Sequence, residues 1–257
     1  MVRMADPGRT DERDVLVLVP GFWLGAWAWE EVAGHLREDG YEVHALTLPG
    51  LESWSADRAA ITLEEHIKAV TEVVTDLDKG GRHVCLVGHS GAGAVVYGAT
   101  DHLAARGSRA LRRVVYVDSG PLPDGAALSP GLDPAVVELP LPPWPELEAN
   151  GSSLAGLDKA ALARFRKLAV PHPAGVARDP LRLTTTKRRK VPVSLVTCSF
   201  SVDQVKAMVA ANHPFFAELD GLDVTYVELA SGHWPMWSRP ADLARVLARE
   251  AARGEPG

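Results

Sequence analysis

A serine at the apex of a run of small residues is the first place in this chain where chemistry can be read. Ser90 lies in Val84-Cys85-Leu86-Val87-Gly88-His89-Ser90-Gly91-Ala92-Gly93-Ala94-Val95-Val96, where one apolar run ends in a tight turn and another starts at once. This is the pattern of a nucleophile elbow, in which a buried strand delivers a serine to a sharp turn and a helix leaves from it. Gly88, Ala92 and Gly93 are small, as the turn requires, because bulky neighbours collide with the strand and helix packed around it. Ala92 stands where the strict G-x-S-x-G pattern has its second glycine. The bland alternative is an ordinary serine on a glycine-rich turn. A dinucleotide-binding fingerprint is a weaker rival, since Val96 occupies the place of its third glycine.

A serine hydroxyl is a poor nucleophile at neutral pH. It needs a base, the base needs an orienting acid, and the developing oxyanion needs hydrogen-bond donors. After an elbow serine the chain order is acid, then histidine. Of the nine histidines, His233 fits the base best, because it lies in Ala230-Ser231-Gly232-His233-Trp234-Pro235-Met236 just past the last strand-like run. His35, His66 and His102 fall in helical stretches, as surface or boundary residues. His44 and His83 lie in or beside strands, and His89 points elsewhere in a turn of this kind. His172 lies in a long insertion with reach to a substrate, and His213 in a loop.

The elements that must position these groups alternate. Strands are expected at Val15–Val19, Tyr41–Leu48, His83–Gly88, Leu111–Val117, Val191–Cys198 and Val224–Leu229. Helices are expected over Trp27–Glu38, from the capping box Thr62-Leu63-Glu64-Glu65 to Leu77, after Ser90 to Ala105, over Val202–Ala211 and over Pro240–Ala251. The order gives an α/β fold, a doubly wound and mostly parallel sheet. Ligands in such sheets sit at the carboxyl ends of the strands. From Pro121 to Lys190 the alternation stops, with one good helix around Leu157–Leu168. A stretch of that length is too long for a plain loop, so residues 121–190 read as an inserted cap or lid. The core is 14–120 and 191–252, and residues 1–13 read as a loose tail, as does Arg253–Gly257.

Together these stretches resemble an α/β-hydrolase, and within that superfamily the chain is similar to the group of plant methyl esterases, hydroxynitrile lyases and their bacterial relatives. The resemblance rests on Leu18-Val19-Pro20-Gly21-Phe22-Trp23-Leu24-Gly25-Ala26-Trp27-Ala28-Trp29, the elbow, Val115-Tyr116-Val117-Asp118, and Ser231-Gly232-His233-Trp234-Pro235-Met236-Trp237-Ser238-Arg239-Pro240. It implies an oxyanion hole from the backbone N–H groups of Phe22 and Gly91, and Gly91 opens a helix whose N-terminal dipole favours negative charge. Pro20 replaces the histidine usual in the group before that glycine, a change of scaffold. The resemblance leaves the acid open. The usual carboxylate position, after Val191–Cys198, falls near Ser201, and Asp203 comes two residues late as a first-turn helix residue capped by Ser201. Asp118, at the end of the strand after the elbow strand, is the leading candidate, Asp203 the alternative, and a site without an acid the third reading. Hydroxynitrile lyases of the group carry lysine after the histidine and threonine in the first turn; here those places hold Trp234 and Gly21, which favours ester hydrolysis.

Composition narrows the partners. A net charge of −6 argues against a general nucleic-acid binder, and the short run Lys187-Arg188-Arg189-Lys190, expected as a solvated edge beside a strand, does not reverse it. Cys85 and Cys198 both lie in apolar strand-like runs and read as buried free thiols, so a reducing, cytoplasmic compartment is expected. No signal segment and no apolar run of about 18 residues stands out, so no membrane partner is expected, and a homodimer is left open. Phe22, Trp23, Trp234 and Trp237 cluster near the expected mouth, the first three adjoining the motif turns, and Trp144, with Pro140 and Leu141, lies in the insertion as a gate. Trp23, Trp144 and Trp234 are the expected substrate-binding residues, whereas Trp27 and Trp29 read as core. Such a pocket suits a small to medium, uncharged, hydrophobic ester, thioester or lactone. The expected activity is that of a serine hydrolase with no metal or cofactor. A cofactor-free lyase, cyclase or oxygenase on the same scaffold is the first alternative, motivated by the displaced acid. A hydrolase-derived binding protein is the second, against which the intact Ser90, His233 and Gly21 argue.

Overall fold

The computed structural model describes residues 13–213 and 215–253. Of the two expected tails, only Arg13 and Arg253 fall among the described residues. Six strands form one sheet in the order β2-β1-β3-β4-β7-β8: β1 (Val15–Val19), β2 (Val43–Ala45), β3 (Val84–His89), β4 (Leu111–Val117), β7 (Val193–Thr197) and β8 (Val224–Glu228). Every pairing in it is parallel. The continuous apolar runs of β1 and β3 are buried throughout, as parallel strands covered on both faces must be.

Helices cover both faces. On one side α2 (Leu63–Lys79) and α3 (Ala92–Ala105) share a core with alternate residues of β1, β3 and β4. On the other side α1 (Glu30–Glu38) and α9 (Pro240–Ala252) pack with the remaining ones. Local signals set the helix starts. The Thr62 hydroxyl accepts the Glu65 N–H at 3.2 Å. Ser201 and Gln204 form a reciprocal capping box at the start of α7 (Val202–Ala210).

Between β4 and β7 the chain leaves the sheet. The insertion holds a two-stranded antiparallel pair, β5 (Glu138–Leu139) with β6 (His172–Pro173), and the helices α4 (Trp144–Ala149), α5 (Lys159–Leu168) and α6 (Ala174–Arg178). It is joined to the α/β core: Phe165 is fully buried and belongs to the same apolar cluster as Trp29 and Trp234, and Gly175 bridges to Thr62 at the start of α2. No described helix is long and apolar enough to cross a membrane.

Several elements depart from the sequence expectation. β2 has three residues rather than eight, because it is an edge strand paired with β1 alone and Thr47 turns to accept the Ala26 N–H at 2.9 Å. The first helix opens as a 3-10 turn over Ala26–Trp29. A short helix, α8 (Pro235–Ser238), follows His233 unforeseen. Residues 186–190 form a 3-10 turn rather than a solvated edge. Arg188 and Arg189 there bond to Glu218 at 3.1 and 2.9 Å, and Arg188 also reaches the buried Asp101. His66 is buried rather than at a boundary, with Nε2–H donating to the Pro49 carbonyl at 2.8 Å.

Gly93, in the first turn of α3, marks the closest approach of that helix to the β4 end. A Cβ there would overlap the Gly120 carbonyl oxygen and the Ser119 hydroxyl. Because the obstacle includes backbone, Gly93→Ala is expected to destabilise the fold by about 1–3 kcal/mol, read as a lowered urea midpoint with unchanged slope.

Candidate active site

The site is assembled from the carboxyl ends of neighbouring strands. β3 ends in Ser90, whose φ of 52° lies in the left-handed region. The turn is pinned by the Ser90 N–H on the Val117 carbonyl at 3.2 Å and by the Ser119 hydroxyl donating to the Ser90 carbonyl at 2.5 Å. β4 ends in Asp118, with φ 45°. The loop after β8 brings His233 across both.

His233 Nδ1 lies 2.7 Å from Asp118 Oδ2, and its Nε2 lies 2.8 Å from Ser90 Oγ. An ionised carboxylate only accepts, so Nδ1 carries the hydrogen and Nε2 is free to accept from the serine hydroxyl. The structure thus brings Ser90, His233 and Asp118 into one hydrogen-bonded chain. Asp203 is not part of it: it is exposed in the first turn of α7.

The end of β7 contributes donors instead of a carboxylate. Asp118 Oδ1 accepts the N–H groups of Cys198 and Ser199 at 3.0 and 2.9 Å, and Oδ2 accepts the Ser199 hydroxyl at 2.5 Å. Burial pushes this carboxyl upward, but the His233 bond and charge and the Ser199 bonds outweigh it, and Asp118 is held below its usual range. His89, beside the serine, does point away from it. Its Nε2–H donates to the His233 carbonyl at 2.7 Å, anchoring the histidine loop from below.

The turn after β1 closes the other side. Gly21 lies against Ser90 and His89, and the Phe22 ring lies over Gly91 so closely that no Cβ fits there. The backbones of Phe22 and Gly91 therefore flank the serine together. Trp23 follows with φ 67°. Trp23, Ser90 and Asp118 thus put three left-handed non-glycine residues around one cavity. Such strain concentrates at functional sites, and nothing in the residue types announces it for a tryptophan.

The cavity measures about 660 Å³ and is lined by Phe22, Trp23, Ser90, Gly91, Asp118 and His233 among others. Two expected wall residues are elsewhere. Trp234 is 2% exposed and packs beneath His233 against Phe165. Trp144 packs on Phe165 and under the Arg166 guanidinium, without lining the cavity. His172 is buried behind Phe22, not at the cavity wall. The walls that sequence reasoning missed include Phe200, Met208, Phe215 and Phe216 from beyond β7, and Leu122, Leu128 and Asn150–Ser152 of the insertion. Phe200, in the turn after β7, was within reach of the strand-end rule; the others are positioned by tertiary packing.

The sequence pattern of the Alpha/beta hydrolase family matches residues 16–246. The chain belongs to the α/β-hydrolase family. It is 29% identical over 254 residues to the carbendazim hydrolyzing esterase of Nocardioides sp. (strain SG-4G), covering 90% of this chain and 97% of that one. It is 34% identical to putative methylesterase 11 of Arabidopsis thaliana over 101 residues, 39% of this chain and 26% of that one. Among solved structures it is similar to an extracellular α/β-hydrolase from a Paenibacillus species, with a TM-score of 0.70 at 21% identity over 92% of this chain and 98% of that one. These kinships support an ester hydrolase of the α/β type.

In this α/β-hydrolase three buried histidines surround the site in neutral form. Burial pushes His66 down to about 4, and burial with the neighbouring His233 pushes His89 down to about 3. Burial, with His66 and Arg58 nearby, holds His172 well below its usual value. In the unfolded chain each takes up a proton below about pH 6.5; in the fold they do not. The unfolded state therefore binds more protons below that pH, and stability falls as pH falls. Asp118, depressed in the fold, adds stability above its ordinary value of 3.8 that is lost as pH falls through its folded value. The urea midpoint is expected to decline from about pH 6.5 downward, and His66→Gln, which removes one of these groups, is expected to flatten the decline.

Proposed function

We propose that this α/β-hydrolase cleaves a small to medium, uncharged, hydrophobic carboxylic ester, thioester or lactone through an acyl-enzyme on Ser90. The observation that carries the reading is the unbroken chain from Ser90 Oγ through His233 to the buried Asp118. Ser90 Oγ attacks the carbonyl carbon while His233 Nε2 takes its proton. The N–H groups of Phe22 and Gly91, which have no acceptor within the fold among the described residues, hold the oxyanion as it forms. The tetrahedral intermediate collapses, His233 returns the proton to the leaving alcohol, and Ser90 keeps the acyl group. Water, deprotonated by His233, then attacks the ester carbonyl; the second tetrahedral intermediate collapses to release the acid, and His233 returns that proton to Ser90 Oγ. Asp118 stays ionised throughout, orienting the imidazole and stabilising its cationic form. Every proton transfer is assigned to a protein group, with no metal or cofactor in the route.

The walls support this substrate class. Phe22, Trp23, Leu122, Leu128, Phe200 and Phe216 are apolar, and among the described residues the only ionisable ones lining the cavity are Asp118, His213 and His233. A carboxylate or phosphate on the substrate would meet no lysine or arginine there, and an ammonium would compete with His233 for Asp118. A cofactor-free lyase, cyclase or oxygenase reading is motivated by a displaced acid, and the Asp118–His233 bond weighs against it. Kinship to an esterase named for hydrolysing carbendazim supports ester hydrolysis. The two buried thiols, Cys85 and Cys198, support a reducing compartment.

Three variants test this with a short-chain aryl ester and a fluorophosphonate probe. Ser90→Ala is expected to lose labelling and essentially all turnover. Asp118→Asn is expected to lower kcat by about 10⁴-fold, because its amide disfavours the required tautomer. Asp203→Asn is expected to leave kcat and KM unchanged. Unchanged turnover in Ser90→Ala, or a large loss in Asp203→Asn alone, would overturn the assignment.

A further inference from the structure

The turn that carries the Phe22 N–H is held from outside the sheet. Trp23, the next residue, makes three hydrogen bonds to the insertion. Its N–H donates to His172 Nδ1 at 3.4 Å, its carbonyl accepts the Val170 N–H at 3.1 Å, and its indole Nε1–H donates to the Leu139 carbonyl at 2.9 Å. Leu139 and His172 face each other across the β5–β6 pair, so the contacts form one clamp. The clamp acts on a residue that needs one, since Trp23 has a φ of 67°, costly for a bulky side chain.

His172 also grips the preceding residue. Its ring stacks on the Phe22 ring with centroids 3.9 Å apart and planes 19° apart, and the other side of that turn abuts Gly91. One histidine thus contacts the backbone after Phe22 and the side chain of Phe22, while being 3% exposed and absent from the cavity wall. Accepting from Trp23 requires a bare Nδ1, hence a neutral ring with its hydrogen on Nε2. The groups facing it favour a neutral ring: burial opposes a charge on His172, as do the His66 ring, edge-on at 5.6 Å, and Arg58.

We propose that His172 is a positioning residue for the oxyanion turn, fixing the Phe22 N–H beside the Gly91 N–H without touching substrate. The proposal rests on the acyl-enzyme reading above. In the resting fold the clamp only shapes a loop. In the reaction it matters when charge develops on the carbonyl oxygen, because a donor displaced by about 1 Å stabilises that charge far less.

Two substitutions separate positioning from packing. His172→Phe keeps a ring to stack on Phe22 and removes the acceptor. His172→Asn restores an acceptor oxygen near the place of Nδ1 and gives up the ring. With an aryl ester, His172→Phe is expected to lose about tenfold to a hundredfold in kcat with KM nearly unchanged. An arylboronic acid, which forms a tetrahedral adduct with Ser90, is expected to bind more weakly by a similar factor. His172→Asn is expected to recover part of both losses even if its melting temperature is the lower of the two. Where the Phe variant does not fold, the Asn variant carries the test: kcat within a few-fold of wild type supports the acceptor role, and a hundredfold loss opposes it. Wild-type kcat and boronate affinity in His172→Phe would overturn the proposal, as would losses that follow melting temperature rather than the acceptor. Wild-type protein that neither turns over the ester nor takes the fluorophosphonate would instead remove the underlying acyl-enzyme reading.

Discussion

A carboxylate buried at the end of β4 is the constraint around which the site is built. Asp118 is 4% exposed, and an isolated charge at that depth is expensive enough that the group would otherwise take up a proton. It remains ionised because four donors converge on it: two N–H groups and a hydroxyl from Cys198 and Ser199, and Nδ1–H of His233. Those donors belong to the end of β7 and the loop after β8. Solvating one charge therefore fixes three strand ends relative to each other, and the position of His233 over Ser90 follows from it.

The strain in the site and the insertion are linked in the same way. Trp23, Ser90 and Asp118 each adopt a left-handed backbone, at a cost of about 1–3 kcal/mol apiece, so each must be held by its surroundings. Ser90 is held within the sheet by Val117 and Ser119. Asp118 is tied to β7 through its own N–H on the Val196 carbonyl at 2.8 Å. Trp23 is held by the insertion, and so is His233, whose N–H donates to the Ser153 carbonyl at 2.8 Å. The 121–190 segment thus does more than interrupt the sheet: its backbone fastens the turns after β1 and β8, one on each side of the serine.

Much of this was legible in the chain. Continuous apolar runs announce parallel strands because both sheet faces are covered, and small residues announce the elbow because nothing larger fits between strand and helix. Caps at Thr62 and Ser201 were readable because their hydrogen bonds are local. What failed to read were features set by distant packing. β2 is short because of its edge position. The basic run at 187–190 found acidic partners, the buried Asp101 and the half-buried Glu218, eighty-seven and about thirty residues away. Trp234 and Trp144 look like pocket residues by neighbourhood, yet both turn inward against Phe165.

The sequence by itself determined the α/β alternation, the elbow serine and the histidine after the last strand, since each depends on residue types within a few positions. It ranked Asp118 ahead of Asp203 and left a site without an acid open, because these readings differ in what surrounds each residue in space. Tertiary structure sets them apart by where donors converge: Ser199 and Cys198 point their N–H groups at Asp118, while Asp203 sits at an exposed helix start. It also decided the walls of the cavity and the clamp on Trp23, because a bond between residues 23 and 172 depends on how the insertion folds back, which no local pattern encodes.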